Sequence, residues 1–462
     1  MLIGFLFIAF LTIWGNAFVL FERDIFCPTM LFLSGYTISV GVAFFSDFII
    51  PFDFHTQTVY VLLVGTFLFC IPAYAIKTLY AGSEGVRAIT LSRTDILIRP
   101  FALWVYAFFL STIIFLTFYV YLDILLPFNP NITLVGSVDA MRNHIIFNPD
   151  GVMIPEFFIL NQVKRFFRIA GYFLLLVWAR NSIIHRSFLH DKLLLLNLFL
   201  TIILFFTDGG RGSIVAYVLA GLGLLFIFDR LYNHTCITLS VGLVIKLICG
   251  FFVACVIFYV MLYISGRKTG AFQLTSFIHH IRFYLAGSIP LLDNFLLTSL
   301  VSGTRGITLF GNETFYSLVQ LLSKLHIVNI SLYDVNLEFR PGVYDGNVYT
   351  AFRSYLHDFG YAGLIFMPIL FSICANWLYY AALKTSKEKA VAVGLVLYAT
   401  LMYPIFADFV RCFFCLSFFS LNTICLCIGV MLLQWFLLKT GLMRFRECSN
   451  WQSIDHESNK NQ

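Results

Sequence analysis

From its first residues to its last, this chain repeats apolar runs of about 20 residues, the length a helix needs to cross a bilayer core. In hydrocarbon every backbone N–H and C=O must be satisfied inside the spanning structure, so such runs restrict the chain to membrane helices. The runs are Leu2–Leu20, Pro28–Ile50, Thr58–Leu79, Phe101–Leu126, Phe166–Trp178, Leu193–Phe206, Ile214–Phe228, Leu239–Ile264, Gly360–Leu383, Ala390–Phe406 and Cys412–Leu438, about eleven in all. The expected fold class is all-α, a polytopic helical membrane protein. A composition that is 60% hydrophobic and only 12% charged excludes a soluble globular protein. Leu2–Leu20 has no basic segment before it and no small-residue cleavage site after it, and reads as a retained span, not a signal peptide.

Lysine and arginine should concentrate in the short cytoplasmic loops. Alternate loops carry Arg23; Lys77, Arg87, Arg93 and Arg99; Arg180, Arg186 and Lys192; Arg230 and Lys246; Lys384, Lys387 and Lys389; and Lys439, Arg444 and Arg446. The expectation is an outer N-terminus and a cytoplasmic C-terminus. The chain then divides into spans 1–264, a large outer loop 265–359, spans 360–438 and a cytoplasmic tail 439–462. No internal repeat is evident, which removes support for a transporter built from inverted repeats. The net charge of +6 lies in no basic patch interleaved with aromatics, so nucleic acid is not an expected partner.

The outer loops and span mouths nevertheless hold Arg142, Arg165, Arg168, Arg211, Arg267, Arg282, Arg305, Arg340, Arg353 and Arg411, against Lys164, Lys268 and Lys324. Arginine offers a planar fork of donors that matches phosphate and carboxylate. Forks gathered where basic residues are disfavoured point to a phosphate-bearing ligand. Arg211 lies in TDGGRGS, where Gly209, Gly210 and Gly212 let backbone approach a ligand and the helix expected from Ser213 turns its amides outward. Lys164, Arg165 and Arg168 open the fifth run as KRFFR and share a helical face that should line a cavity. Arg411 has the same logic; a plain ion pair with Asp408 is the simpler alternative.

The segment Arg340–Gly363, RPGVYDGNVYTAFRSYLHDFGYAG, closes an interval of about 95 residues and runs into a span. Polar chemistry at the mouth of a membrane helix suits an amphiphilic substrate. His357 is the candidate base, with Asp358 as alternative; a capping role for Asp358 or Asn347 is the structural alternative. His279, His280 and Arg282 lie in the long loop on a stretch that reads as an interfacial amphipathic helix. The 11 cysteines lie mostly in apolar runs as small hydrophobes, and Cys412–Cys415 has no second pair or nearby histidine to make a metal site. HExxH, Walker-type GK[ST], DxD and GxSxG motifs are missing, so no nucleotide cofactor or metal is expected.

TDGGRGS between middle spans, a long outer loop, GNVYTAFRSYLHDFGYAG opening the next span and YPIFADFVR near the end together resemble the bacterial O-antigen polymerases, or oligosaccharide repeat unit polymerases. The resemblance implies a GT-C-like membrane architecture in the bacterial inner membrane and periplasmic glycosyl transfer between undecaprenyl-diphosphate-linked oligosaccharides. It also implies a chain-length regulator as partner. Under it Arg211, Arg353 and Arg411 would hold diphosphate, with Arg165, Arg168, Arg282 and Arg340 in support, and His357 or Asp358 would be the base, Arg353 lying one turn before them. The O-antigen ligases share this layout and are the enzymatic alternative; a lipid-linked oligosaccharide flippase is the transporter alternative.

Overall fold

The computed structural model describes residues 1–47, 54–81, 94–130, 132–134, 136–147, 155–208, 211–233, 259, 274–297, 311–328, 348–388 and 393–447. The helices are α1 (Leu2–Leu20), α2 (Pro28–Asp47), α3 (Thr56–Ala81), α4 (Pro100–Leu125), α5 (Gly136–Phe147), α6 (Pro155–Ile184), α7 (Lys192–Phe206), α8 (Arg211–Asn233), α9 (Leu274–Ala286), α10 (Ser288–Phe295), α11 (Tyr316–Lys324), α12 (Ala351–Glu388), α13 (Val393–Phe406), α14 (Phe413–Phe418) and α15 (Leu421–Lys439). Among the described residues eight are long and apolar enough to cross a membrane: α1, α2, α3, α4, α6, α8, α12 and α15. The protein is therefore a helical multi-pass membrane protein. Of the other expected runs, Leu239–Ile264 lies outside the described residues except for Tyr259, and α7 and α13 are shorter helices of 15 and 14 residues. The run from Cys412 divides into α14 and α15 at Phe419–Ser420.

The chain forms two compact units: Met1–Glu84 with Cys236–Tyr380 and Thr400–Cys425, and Gly85–Thr235 with Ala381–Ala399 and Leu426–Gln462. In the first, α1 packs on α2 and both on α3. Between lipid-embedded helices there is little hydrophobic drive, so close van der Waals packing has to hold them. Stacked and edge-on rings supply it, with Phe32–Phe69 at 4.1 Å, Phe69–Phe371 at 4.8 Å and Phe371–Phe414 at 4.1 Å. Gly65 leaves room for the Phe352 ring, and a Cβ there would stand 2.2 Å from it. Buried polar ties join the helices as well: Thr29 Oγ1 donates to Asn376 Oδ1 at 3.2 Å, and Tyr379 donates to Asp24 at 2.5 Å. The start of α3 is capped from another segment, Asp293 accepting from the His55 N–H at 3.1 Å and its ring Nδ1 at 2.8 Å. The stretch expected to lie at the interface is two helices, α9 against α2, and α10, where Ile289, Leu291, Leu292 and Phe295 are buried.

In the second unit α4, α6, α7 and α8 pack together. Pro100 opens α4, where its missing N–H costs nothing, and Asp191 caps α7 through the Leu194 N–H at 2.9 Å. A two-stranded antiparallel sheet departs from the all-helical expectation: β1 (Thr94–Ile98) pairs with β2 (Met443–Glu447), Asp95 opposite Arg446. Neither strand is long, and each adjoins a span, so periodicity alone does not reveal the pairing. The side chain of Asn181 on α6 brackets Ile96, accepting from its N–H at 3.1 Å and donating to its carbonyl at 2.8 Å. Buried Asp95 meets His185 Nε2 at 3.1 Å and Arg446 Nη2 at 3.2 Å. Arg99, Arg180, Arg444 and Arg446, from three loops that the charge tally assigns to one side, are thus gathered at one end of this unit.

Within α12 the backbone breaks at Gly360, with φ 62° and ψ −152°. An L side chain is strained there, so glycine is required for the short segment Ala351–Phe359 to turn into the long apolar stretch beyond. Gly360→Ala should destabilise the protein by about 1–3 kcal/mol, read as a lower thermal midpoint in detergent. An unchanged midpoint would mean that this break relaxes into continuous helix at no cost.

Candidate functional site

Two buried ionic clusters stand out, one in each unit. The first is built on the opening turns of α12. Arg353, at 0% exposure, lies two residues into the helix, His357 follows one turn on at i+4 on the same face, and Asp358 is the next residue. Facing them is the turn Gly311–Phe315, held by the Phe315 N–H on the Gly311 carbonyl at 2.8 Å. Asp358 seats this turn by accepting the N–H groups of Glu313 at 3.0 Å and Thr314 at 2.7 Å. It does cap a backbone end, as a capping aspartate would, but that of a segment 44 and 45 residues distant.

Glu313, only 2% exposed, is held at its Oε2 by Arg353 Nη1 at 2.6 Å. The Arg353 guanidinium also lies over the rings of Tyr349 at 4.4 Å and Phe295 at 5.0 Å, where a planar cation is well accommodated. His357 Nδ1 stands 3.2 Å from Glu313 Oε1 and 3.2 Å from Asp358 Oδ1. Two carboxylates facing one ring nitrogen require that nitrogen to carry the proton, which makes Nε2 the basic atom of the neutral ring. One arm of the arginine fork, Nη1, is committed to Glu313, so here Arg353 sets the position of a carboxylate.

The second cluster lies in α6 and at the α7–α8 junction. Lys164, at 1% exposure, puts Nζ 2.9 Å from Asp208 Oδ1, and Arg168 Nη1 lies 3.0 Å from Asp208 Oδ2. Tyr121 adds its ring, 5.6 Å from the ammonium, and donates its hydroxyl to the Thr207 carbonyl at 2.9 Å. The expected cationic face is present, but KRFFR does not open the helix. It begins at Pro155, about three turns earlier, which places the charges inside the candidate span Phe157–His185. Lipid does not accept such a face, and Asp208 neutralises part of it. Two cations against one carboxylate leave one positive charge in excess. From Lys164 to His185, beside Asp95, α6 runs about 30 Å at its ~1.5 Å rise per residue, the thickness of a hydrocarbon core.

The remaining expected residues are dispersed. Arg165 is half-buried on α6, and Arg211 is the first residue of α8, two positions before the expected start. Arg282 ties α9 to the end of α2, its Nε donating to Ser46 Oγ at 2.9 Å. Arg411 is half-buried in the turn after Phe409, while Asp408 caps α14 through the Phe414 N–H at 3.3 Å. Arg340 lies outside the described residues, as do the side chains of Arg211 and His280. Among the described residues no three His, Cys, Asp or Glu side chains are placed to share a metal ion. Sequence reasoning missed Glu313 and Asp208. The available signal was scarcity, since only 24 acidic residues occur in the chain and one lies inside each motif-bearing turn.

The fold and these charges define a multi-pass helical membrane protein with ionic clusters within its helical units. No family model, curated protein or solved structure matches the chain.

Asp208→Ala should destabilise the protein by roughly 3–5 kcal/mol, because it leaves Lys164 buried against Arg168 with no counter-charge. Adding Lys164→Met should recover much of that loss in thermal unfolding. If the single variant unfolds like the unaltered protein, the cluster holds no buried charge in need of neutralising.

Proposed function

We propose that this protein is a surface-polysaccharide polymerase of the O-antigen type, joining undecaprenyl-diphosphate-linked oligosaccharide units by glycosyl transfer on the outer face of a bacterial inner membrane. The observation that carries the reading is His357, buried at the mouth of a membrane helix with Nδ1 against two carboxylates. That is the arrangement of a general base in a protein whose helices suit a lipid-borne substrate.

In the proposed reaction a hydroxyl of the acceptor sugar attacks the anomeric carbon of the donor glycan. The hydroxyl proton passes to His357 Nε2, the new C–O bond forms, and the bond to the lipid diphosphate breaks with its electron pair on the leaving oxygen. Glu313 and Asp358 stabilise the imidazolium so formed, and Arg353 holds Glu313 in place. Charge developing on the diphosphate calls for arginine forks, and those in the same unit as His357, namely Arg282, Arg340 and Arg411, are assigned to it. The leaving group is already activated, so the reaction needs no nucleotide.

The test is the surface-glycan ladder, resolved on gels, from cells with the gene deleted and then restored. Loss of the ladder with single repeat units still attached to the cell-surface lipid supports polymerisation. His357→Ala should slow chain growth by about 10²–10⁴ with the protein still inserted. A ladder of normal length in the deletion strain would refute the proposal. Unligated polymer collecting on the carrier lipid would point to a ligase, and repeat units held on the inner leaflet to a transporter.

A further inference from the structure

Among the described residues, the buried polar atoms beside the His357 network that have no hydrogen-bond partner include Asn312 Oδ1, Thr314 Oγ1 and Thr350 Oγ1. All three side chains are buried, at 5%, 0% and 0% exposure. Their positions are set by residues of the network. Asn312 and Thr314 flank Glu313 in the turn that Asp358 holds, and the Thr350 carbonyl accepts the Arg353 N–H at 3.0 Å.

Buried polar atoms are nearly always paired, because leaving one unmet forfeits its hydration with nothing in return. Thr350 makes the point most sharply. It immediately precedes α12, where a threonine ordinarily turns its hydroxyl onto the first free N–H groups of the helix. Its Oγ1 forgoes that bond. Thr314 likewise gives its N–H to Asp358 and leaves its hydroxyl idle.

We infer that Asn312, Thr314 and Thr350 form a subsite that recognises hydroxyl groups of a sugar ring, beside the network of His357, Glu313 and Asp358. The inference rests on the glycosyl-transfer reading above and names the part of the substrate that this site receives. A threonine hydroxyl both donates and accepts, and an amide oxygen accepts, which matches groups that themselves donate and accept. A phosphate only accepts, and so offers nothing to the Asn312 amide oxygen, whereas a sugar hydroxyl can donate to it and exchange bonds with both threonines.

The experiment uses the full-length protein in lipid nanodiscs and two probes. One is undecaprenyl diphosphate without sugar; the other is the lipid-linked repeat unit extracted from the deletion strain. The double variant Thr314→Val with Thr350→Val should bind the sugar-bearing lipid about tenfold more weakly, as expected for lost hydrogen bonds. Its affinity for the sugar-free lipid should not change, and its ligand-free thermal midpoint should hold or rise, because two unmet hydroxyls are gone. Asn312→Ala, made alone, should show the same selectivity, and it carries the test if the double variant fails to fold. Unchanged affinity for the sugar-bearing lipid, or equal loss for both probes with a lowered midpoint, would overturn the subsite. If the unaltered protein does not distinguish the probes, the glycosyl-transfer reading itself fails. A protein that distinguishes them while the variants do so equally well sinks the subsite alone.

Discussion

A charge placed among lipid-spanning helices has to meet an opposite charge or the helix carrying it does not stay there, and that requirement organises both units. In α6 it joins Lys164 and Arg168 to Asp208, across the junction of α7 and α8. At the far end of the same helix it joins Asp95 to His185 and Arg446, and so holds the small sheet against the bundle. In the other unit it joins Arg353 to Glu313, and through His357 and Asp358 it seats a distant turn on the first turns of α12. Each pair does structural work because removing one partner would leave the other without compensation in a medium of low dielectric.

Around these fixed points the helices are held by shape. Rings stack where Phe32, Phe69, Phe371 and Phe414 meet, and Gly65 opens a place for Phe352, one residue before Arg353. Packing at Phe352 and the break at Gly360 therefore bracket the segment that bears the histidine. This places His357 on a short helical piece locked at both ends, which favours a defined ring orientation over a mobile loop. The unmet hydroxyls of Thr314 and Thr350 lie in the same locked surroundings, where a rigid protein can hold polar atoms ready for a ligand at some cost in its own stability.

Arg353 shows what composition cannot decide. As a residue type it groups with the other arginines at the span mouths, but the structure commits its Nη1 to the buried Glu313 carboxylate and stacks its guanidinium on Tyr349 and Phe295.

The sequence by itself determined the helical membrane class, most of the spans, the cationic face of Lys164 and Arg168, and the adjacency of Arg353, His357 and Asp358. These follow from apolar run length and from i, i+3 and i, i+4 spacing, which are properties of one segment at a time. The tertiary structure decided which carboxylates meet those groups, since Glu313 lies 40 residues from Arg353 and Asp208 lies in the turn between α7 and α8. It also decided the pairing of β1 with β2 and the start of α6 at Pro155, well before its apolar run. No periodicity encodes a partner that distant. An acidic residue reads the same in a loop as in a buried ion pair, and only the folding of the chain brings its opposite charge within 3 Å.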